Sequence, residues 1–355
     1  MRIIRNFDWG IFLPMIFLIS FGTAVIFSTD PSLAKEQMVF GILGLILFLF
    51  ISFTQTYYFK LLAPFLYILS LISLVATVFL GVISHGSTRW ISLGFAGLTL
   101  QTSELSKFFI IAALALFFAS KFWNGRLTGF FISFFIAVFP AVMIYLQPDL
   151  GTAIVILSIW FLMLLSSGFR LKYIIIFVII AILAAPVGWQ MLKPYQKDRI
   201  TTFLNPSADP LGSGYHILQA KIAIGSGQIF GRGFGQGTQS RLRFLPEYHN
   251  DFIFAALSEE WGLVGSGLLL TIFAFLMFRI LSVYSRASDE FNRLLCLGVF
   301  TMIFTQFVIN VGMNLGLAPV TGIPLPLVSS GGSSLVTTAL SLGLVHSVAI
   351  HNKIG

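Results

Sequence analysis

The sequence predicts an all-α polytopic membrane protein, and three observations carry that prediction. Of its 355 residues 57% are apolar and only 10% charged, with a mean hydropathy of +0.94; soluble domains carry about one quarter charged residues. The apolar residues gather into runs of roughly twenty, the length that crosses the hydrocarbon of a bilayer. Basic residues collect on alternate connections between those runs, the asymmetry that orients membrane helices.

About ten spans are expected, near 9–28, 37–53, 60–83, 104–120, 128–146, 150–167, 172–191, 252–281, 291–316 and 333–350. The first follows Arg2 and Arg5 as a signal peptide would, but its core is too long and lacks a clear small-x-small cleavage site, so it reads as a helix. The chain 1–355 is one integral membrane unit, with a large extracytoplasmic loop at about 192–251 between helices seven and eight. With the N-terminus inside, the cytoplasmic segments hold most basic residues, from Arg2, Arg5 and Lys60 to Arg279, Arg286, Arg293 and Lys353. The outer short connections and adjacent helix ends hold only Lys35, Arg89 and Lys107. An even number of spans returns the C-terminus to the cytoplasm. The formal charge of +8 is mostly this topology signal, with no concentrated basic stripe, so nucleic acid is not an expected partner. The lone Cys296 excludes an intramolecular disulfide framework and supplies no metal cluster.

Acidic residues follow the opposite rule. Asp30, Glu36, Glu104, Asp149, Asp198, Asp209, Glu247 and Asp251 fall at or beyond the outer boundary, while Asp8, Asp289 and Glu290 fall inside. Chemistry is therefore expected to face outward, and no Walker-type G-x-x-x-x-G-K-[ST] is present to draw on cytoplasmic nucleotide. Asp251, in His249-Asn250-Asp251-Phe252-Ile253, stands where the polar loop meets an apolar helix. An ionised group at that boundary is costly without a partner and is a functional candidate for that reason.

Four patches interrupt the apolar background. In the first, Arg89-Trp90 and the Gln101–Lys107 run form an outer connection that suits the membrane interface. Glu104 and Lys107, three apart, share a helix face and form either a structural ion pair or the polar floor of a headgroup cavity. In the second, Gln147-Pro148-Asp149-Leu150-Gly151-Thr152, Asp149 is placed to cap the next helix, to serve a site, or both. The third is the glycine-rich core of the long loop, from Gly225 to Gly237. It lacks G-x-G-x-x-G spacing, so its glycines serve tight turns first, although bare amides and Arg232 could meet a pyrophosphate or glycan. The fourth, Pro324 to Leu335, reads as a re-entrant cavity wall that makes Ser333 and Ser334 substrate-binding candidates; a plain turn capped by Ser333 is the alternative.

Taken in order, these patches resemble the SEDS (shape, elongation, division and sporulation) family over nearly the whole chain. The matching pieces are Arg89-Trp90 with Gln101-x-Ser103-Glu104-Leu105-x-Lys107, then Gln147-Pro148-Asp149-x-Gly151-Thr152. Leu245-Pro246-Glu247, His249-x-Asp251-Phe252-Ile253-Phe254-Ala255, Glu259-Glu260 and Gly331-Gly332-Ser333-Ser334 follow. The run Lys221–Gly227 with Gly237-Thr238-Gln239-Ser240 is closer to the RodA (elongation) branch than to FtsW (division). Thr102, Asn250 and Ser330 stand where the family usually has proline, threonine and an aromatic.

The resemblance implies a peptidoglycan glycosyltransferase in the bacterial cytoplasmic membrane. Its substrate would be lipid II, polymerised at the outer face beside a class B penicillin-binding protein, with the lipid tails against the apolar helices. Asp251 would be the general base. The leaving pyrophosphate would be met by Arg89, Lys107, Arg232 or a divalent cation (Mg or Mn). No organic cofactor is implied, because the substrate arrives activated. Tyr195, Tyr215 and Phe234 of the glycine-rich, flexible loop would anchor the partner. The alternative is a lipid II flippase, which needs polar groups along a path to both faces. Apart from Glu259 and Glu260, expected about 12–13 Å below Asp251 inside the eighth span, the inner halves of the spans offer almost none. A mere scaffold leaves the outward carboxylates unexplained.

Overall fold

The computed structural model describes residues 7–352, except 85–86, 93–98, 124, 207–208, 210–211, 213, 243, 246 and the greater part of 171–193. Among the described residues seven helices are long and apolar enough to cross a membrane. They are α1 (Trp9–Thr29), α2 (Pro31–Phe53), α3 (Thr56–Leu80), α5 (Leu127–Leu146), α10 (Ile253–Arg286), α11 (Glu290–Leu315) and α12 (Gly332–Asn352). Two shorter helices, α4 (Thr102–Phe118) and α6 (Leu150–Ser166), complete the bundle. The span expected at 172–191 falls mostly outside the described residues.

Local chemistry sets the helix ends. Asp30 ends α1 and starts α2: its Oδ1 accepts the Ser32 amide at 3.0 Å and the Leu33 amide at 3.3 Å, with Pro31 at the first helical position. Asp8 caps α1 by accepting the Gly10 amide at 3.1 Å and pairs with Arg279 of α10 at 2.5 Å. Because consecutive helices alternate in direction, the C-termini of α1, α3, α5 and α11 and the N-termini of α2, α4, α6 and α12 share one end. That end carries the polar patches.

Two features there depart from an all-α bundle with a loose loop. Between α3 and α4 the chain forms a three-stranded antiparallel sheet, β1 (Val82–Ser84), β2 (Ser87–Ser92) and β3 (Thr99–Gln101). Trp90 pairs with Gln101 and Ile91 with Leu100. The β-branched and aromatic residues Thr88, Trp90 and Ile91 suit a strand as well as an interfacial segment. The 192–251 connection, in turn, contains α7 (Pro194–Leu204), α8 (Tyr215–Ser226) and the short α9 (Thr238–Arg241).

The glycine-rich run is not a flexible tether. α10 breaks at Gly262, whose backbone is left-handed (φ 63°, ψ −158°), and the glycine run fills the break. The Arg232 and Gly233 amides donate to the Glu259 and Glu260 carbonyls at 2.9 and 3.0 Å. The Leu263 and Val264 amides donate to the Gln228 and Ile229 carbonyls at 2.9 and 3.0 Å. Any side chain at Gly231 would put its Cβ 2.1 Å from the Glu260 carbonyl oxygen, so this close approach requires glycine. Glu259 and Glu260 therefore lie on the Asp251 side of a broken helix, not deep in a continuous span. Glu260 accepts the hydroxyl of Ser28, at the end of α1, at 2.6 Å. Glu259 accepts four hydrogen bonds from Thr238, Gln239 and Ser240.

Candidate active site

Asp251 precedes α10 and is placed through its own backbone. Asn310 and Asn314, one turn apart on α11 and fully buried, each donate an amide hydrogen to its carbonyl oxygen at 3.0 Å. Asn314 Oδ1 accepts the Ala255 amide at 3.1 Å, which that amide shares with the Phe252 carbonyl in the first turn of α10. From the other side Ser329 Oγ donates to the Asn250 carbonyl at 2.6 Å, and the Ser330 amide donates to that of His249 at 2.8 Å. The run 324–330 and α11 thus clamp the turn, and a catalytic group is only as effective as its positioning. Glu247 closes the turn in a left-handed conformation (φ 49°), which costs a residue with a Cβ about 1–2 kcal/mol. Its carbonyl receives the Asn250 and Phe252 amides at 3.0 and 3.2 Å.

The Asp251 side chain is mostly buried, and its Oδ1 meets no hydrogen-bond partner among the described residues. Burial pushes the carboxyl up to about 7; Glu247 adds to the rise, while Arg199 and Arg89 oppose it. The carboxylate lines a cavity of about 540 Å3 together with Glu247, Glu104, Arg89, Arg199 and Ser334. The wall thus holds the Asp251 carboxyl, with a pKa raised toward neutrality, and two guanidiniums suited to an anion.

The other expected site residues divide into wall and support. Arg89 lines the cavity while its Nε donates to the Gln147 carbonyl at 3.0 Å and a terminal nitrogen donates to that of Pro148, tying β2 to the turn between α5 and α6. Glu104 lines it too, with Oε1 held at 2.7 Å by Lys107 and Oε2 without a partner among the described residues. Lys107 is buried behind Glu104, off the wall, so its role is the ion pair. Asp149 also stands behind the wall. It caps α6 by accepting the Thr152 amide at 3.1 Å and receives Gln101 and Ser103, both at 3.3 Å. Ser333 accepts the Gln101 amide at 2.9 Å, while Ser334 reaches the wall. Arg232 is exposed, lies off the wall and donates to Thr238 Oγ1 at 3.3 Å.

Asn310, Asn314 and Arg199 were not singled out from the sequence. The asparagines had a signal: Gln306, Asn310 and Asn314 recur every four residues in an apolar helix, a polar stripe on one face. Arg199 had none, because only tertiary packing brings α7 to Asp251. Among the described residues no group of three or more His, Cys, Asp or Glu converges to hold a metal. The carboxylates of the wall are Asp251, Glu247 and Glu104, the last paired through Oε1 with Lys107.

Fold and site define a multi-pass membrane protein with a buried carboxyl and two guanidiniums on one cavity wall at one end of its bundle. The profile of the FtsW/RodA/SpoVE family, described as a cell cycle protein, matches residues 3–354, and the chain belongs to that family. It is 41% identical over 292 residues to the peptidoglycan glycosyltransferase MrdB of Escherichia coli K12, covering 82% of this chain and 78% of the relative. A chain from a solved peptidoglycan synthase complex, described as coordinating polymerization and crosslinking, superposes with a TM-score of 0.86 at 31% identity, covering 98% of both chains. The crystal structure of the rod shape determining protein RodA of Thermus thermophilus gives a TM-score of 0.73 at 28% identity, covering 97% of this chain and 96% of that one.

Proposed function

We propose that this chain is a RodA-type peptidoglycan glycosyltransferase that polymerises lipid II during cell elongation, with Asp251 as general base. The observation that carries the reading is the desolvated, unsatisfied Asp251 carboxyl, with a pKa of about 7, on a cavity wall it shares with Arg89 and Arg199. A base with a pKa near the working pH is the most effective. Asp251 takes the proton of the acceptor hydroxyl, and the guanidiniums stabilise the negative charge that grows on the departing pyrophosphate. A divalent cation bound at this wall would be held by Asp251 and Glu247 and would add positive charge beside the departing pyrophosphate. The names of the relatives support the same reading.

The basic residues orient the bundle with both termini in the cytoplasm of a bacterium and the cavity facing outward. The seven long helices, α4, α6 and the 172–191 segment then make up the ten spans, with the 192–251 connection outside. The transport alternative finds no path in Glu259 or Glu260, which are engaged by α9 and Ser28. A class B penicillin-binding protein is the proposed partner, in keeping with the synthase complex matched above. Of the three anchors expected from the sequence, Phe234 is half exposed, Tyr215 is half-buried and the Tyr195 side chain lies outside the described residues. Phe230 and Leu242, both exposed on the 192–251 connection, add apolar anchors beside Phe234.

The test is a polymer assay with purified protein, lipid II and a gel that resolves glycan strands. Wild type is expected to form strands and Asp251→Ala, equally well folded, is not. Strand synthesis by that variant at the wild-type rate would remove Asp251 from the chemistry.

A further inference from the structure

Asp251 faces two cavities. Beside the 540 Å3 cavity lies a second of about 290 Å3, and the two share Arg199, Glu247 and Asp251. Their remaining walls differ in chemistry. The larger adds Arg89, a second guanidinium, with His249 and with Glu104, whose charge is offset by Lys107 at 2.7 Å. The smaller adds a carboxylate (Asp198), a hydroxyl (Thr202) and an imidazole (His216) above an apolar floor that includes Phe252. Its volume sits at the lower edge of small-molecule sites, roughly 300 Å3.

We propose that the larger cavity takes the pyrophosphate end of the glycosyl donor and the smaller takes the uncharged sugar that carries the acceptor hydroxyl, with His216 positioning that sugar. The assignment rests on the transferase reading. Charge separates the two: each wall holds three carboxylates, but in the larger Glu104 is neutralised by Lys107 and a second guanidinium is present. A pyrophosphate therefore favours the larger cavity over the smaller, where Arg199 alone faces Asp198, Glu247 and Asp251. A sugar needs hydrogen-bonding groups around an apolar surface, and the smaller cavity supplies them.

His216 fits this role in three ways. Its ring stacks on Phe252, with centroids 6.1 Å apart and planes 17° from parallel, which fixes its orientation. Its Nδ1 is buried and, among the described residues, has no hydrogen-bond partner. Burial lowers its pKa against the pull of Glu247, so the imidazole is neutral at pH 7 and binds a hydroxyl without setting a cation beside the base. In the transfer, the acceptor O–H bond breaks and its proton goes to the Asp251 carboxylate. The acceptor oxygen bonds to the anomeric carbon of the donor. The bond from that carbon to the phosphate oxygen breaks, and its electron pair leaves with the pyrophosphate toward Arg89 and Arg199.

Lipid II can serve as both substrates, so the test separates them. The full-length protein is given a lipid-linked disaccharide pyrophosphate with its acceptor hydroxyl methylated, which can only donate. It is paired with a soluble disaccharide that bears the hydroxyl but no phosphate, which can only accept. Loss of one hydrogen bond of about 1 kcal/mol corresponds to roughly a fivefold change. His216→Ala is therefore expected to raise KM for the soluble acceptor about fivefold and leave KM for the donor unchanged, with His216→Gln recovering part of the loss. Should His216→Ala not fold, Thr202→Val is expected to give the same split. A rise confined to the donor KM, equal rises in both, or no change in either overturns the assignment. Absence of any transfer by the wild-type protein overturns the transferase reading, and the assignment with it.

Discussion

Asp251 and Glu259 lie eight positions apart at one end of the bundle, and both are carboxylates in mostly apolar surroundings. Their neighbourhoods are opposites. Glu259 is fully buried and accepts four hydrogen bonds, at 2.9–3.2 Å, from Thr238, Gln239 and Ser240. Asp251 is clamped only through its backbone, and its Oδ1 is left without a partner among the described residues. A saturated carboxylate holds its donors in place and has no capacity left for a substrate proton. An unsatisfied one has its pKa raised and its lone pairs available, at a cost to stability. Hydrogen-bond saturation, more than burial or position in the chain, separates Glu259 from Asp251, the proposed base.

The largest expected effect tests that contrast directly. Asp251→Ala should reduce lipid II polymerisation by about 10²–10⁴-fold, the range a general base contributes, with little change in melting temperature. Glu259→Ala should do the reverse. It strands the Gln239 and Ser240 amides and two hydroxyls, at about 1–3 kcal/mol for each donor left buried without a partner. The readout is loss of the folded protein in a thermal-shift assay before any specific change in KM. A folded Glu259→Ala with a purely catalytic defect would dissolve the distinction.

The Glu104–Lys107 pair falls between the two, since one member lines the cavity and the other supports it. Lys107→Met leaves a buried carboxylate uncompensated, a loss of about 3–5 kcal/mol, and should depress stability and activity together. Combining it with Glu104→Gln removes the stranded charge and should restore most of the melting temperature. Activity that returns in full with it would make the pair structural alone; activity that stays low assigns Glu104 Oε2 to the substrate.

The smallest effect is on pH dependence. As the proposed general base Asp251 acts deprotonated, so turnover should rise with pH through about 7. Glu247 helps to hold that pKa up, and Glu247→Gln should move the rising limb to lower pH. Stability runs the other way. The folded carboxyl keeps its proton to about 7, whereas the unfolded one releases it near its ordinary value of 3.8. Stability is therefore expected to fall as pH rises between those values. Asp251→Asn should flatten that part of a melting-temperature profile, and an unchanged slope would show that Asp251 titrates normally.

Much of this was legible in the sequence. The spans, the sign pattern of their connections and the four polar patches follow from hydropathy and charge, which act locally and survive without coordinates. Asp251 stood out because a carboxylate is conspicuous where a polar loop enters an apolar helix. The helices of the 192–251 connection were hidden by its glycines, which read as flexibility. In the fold those glycines allow Gly231 and its neighbours to approach the broken helix at Gly262 and share its hydrogen bonds. Trp90 and Arg89 read as an interfacial segment, because aromatic and β-branched residues suit both a strand of a small sheet and a chain lying on lipid.

The sequence by itself determined a membrane bundle, its expected orientation and where its polar chemistry concentrates, since transfer of side chains from water to lipid depends on residue type and run length. Only the tertiary structure decided which acids are saturated, that Asn310 and Asn314 hold the Asp251 backbone, and that Arg199 and His216 come to its side. Those facts rest on hydrogen bonds and Coulomb interactions that act over a few ångströms between residues far apart in the chain. Packing creates that proximity, and no local pattern encodes it.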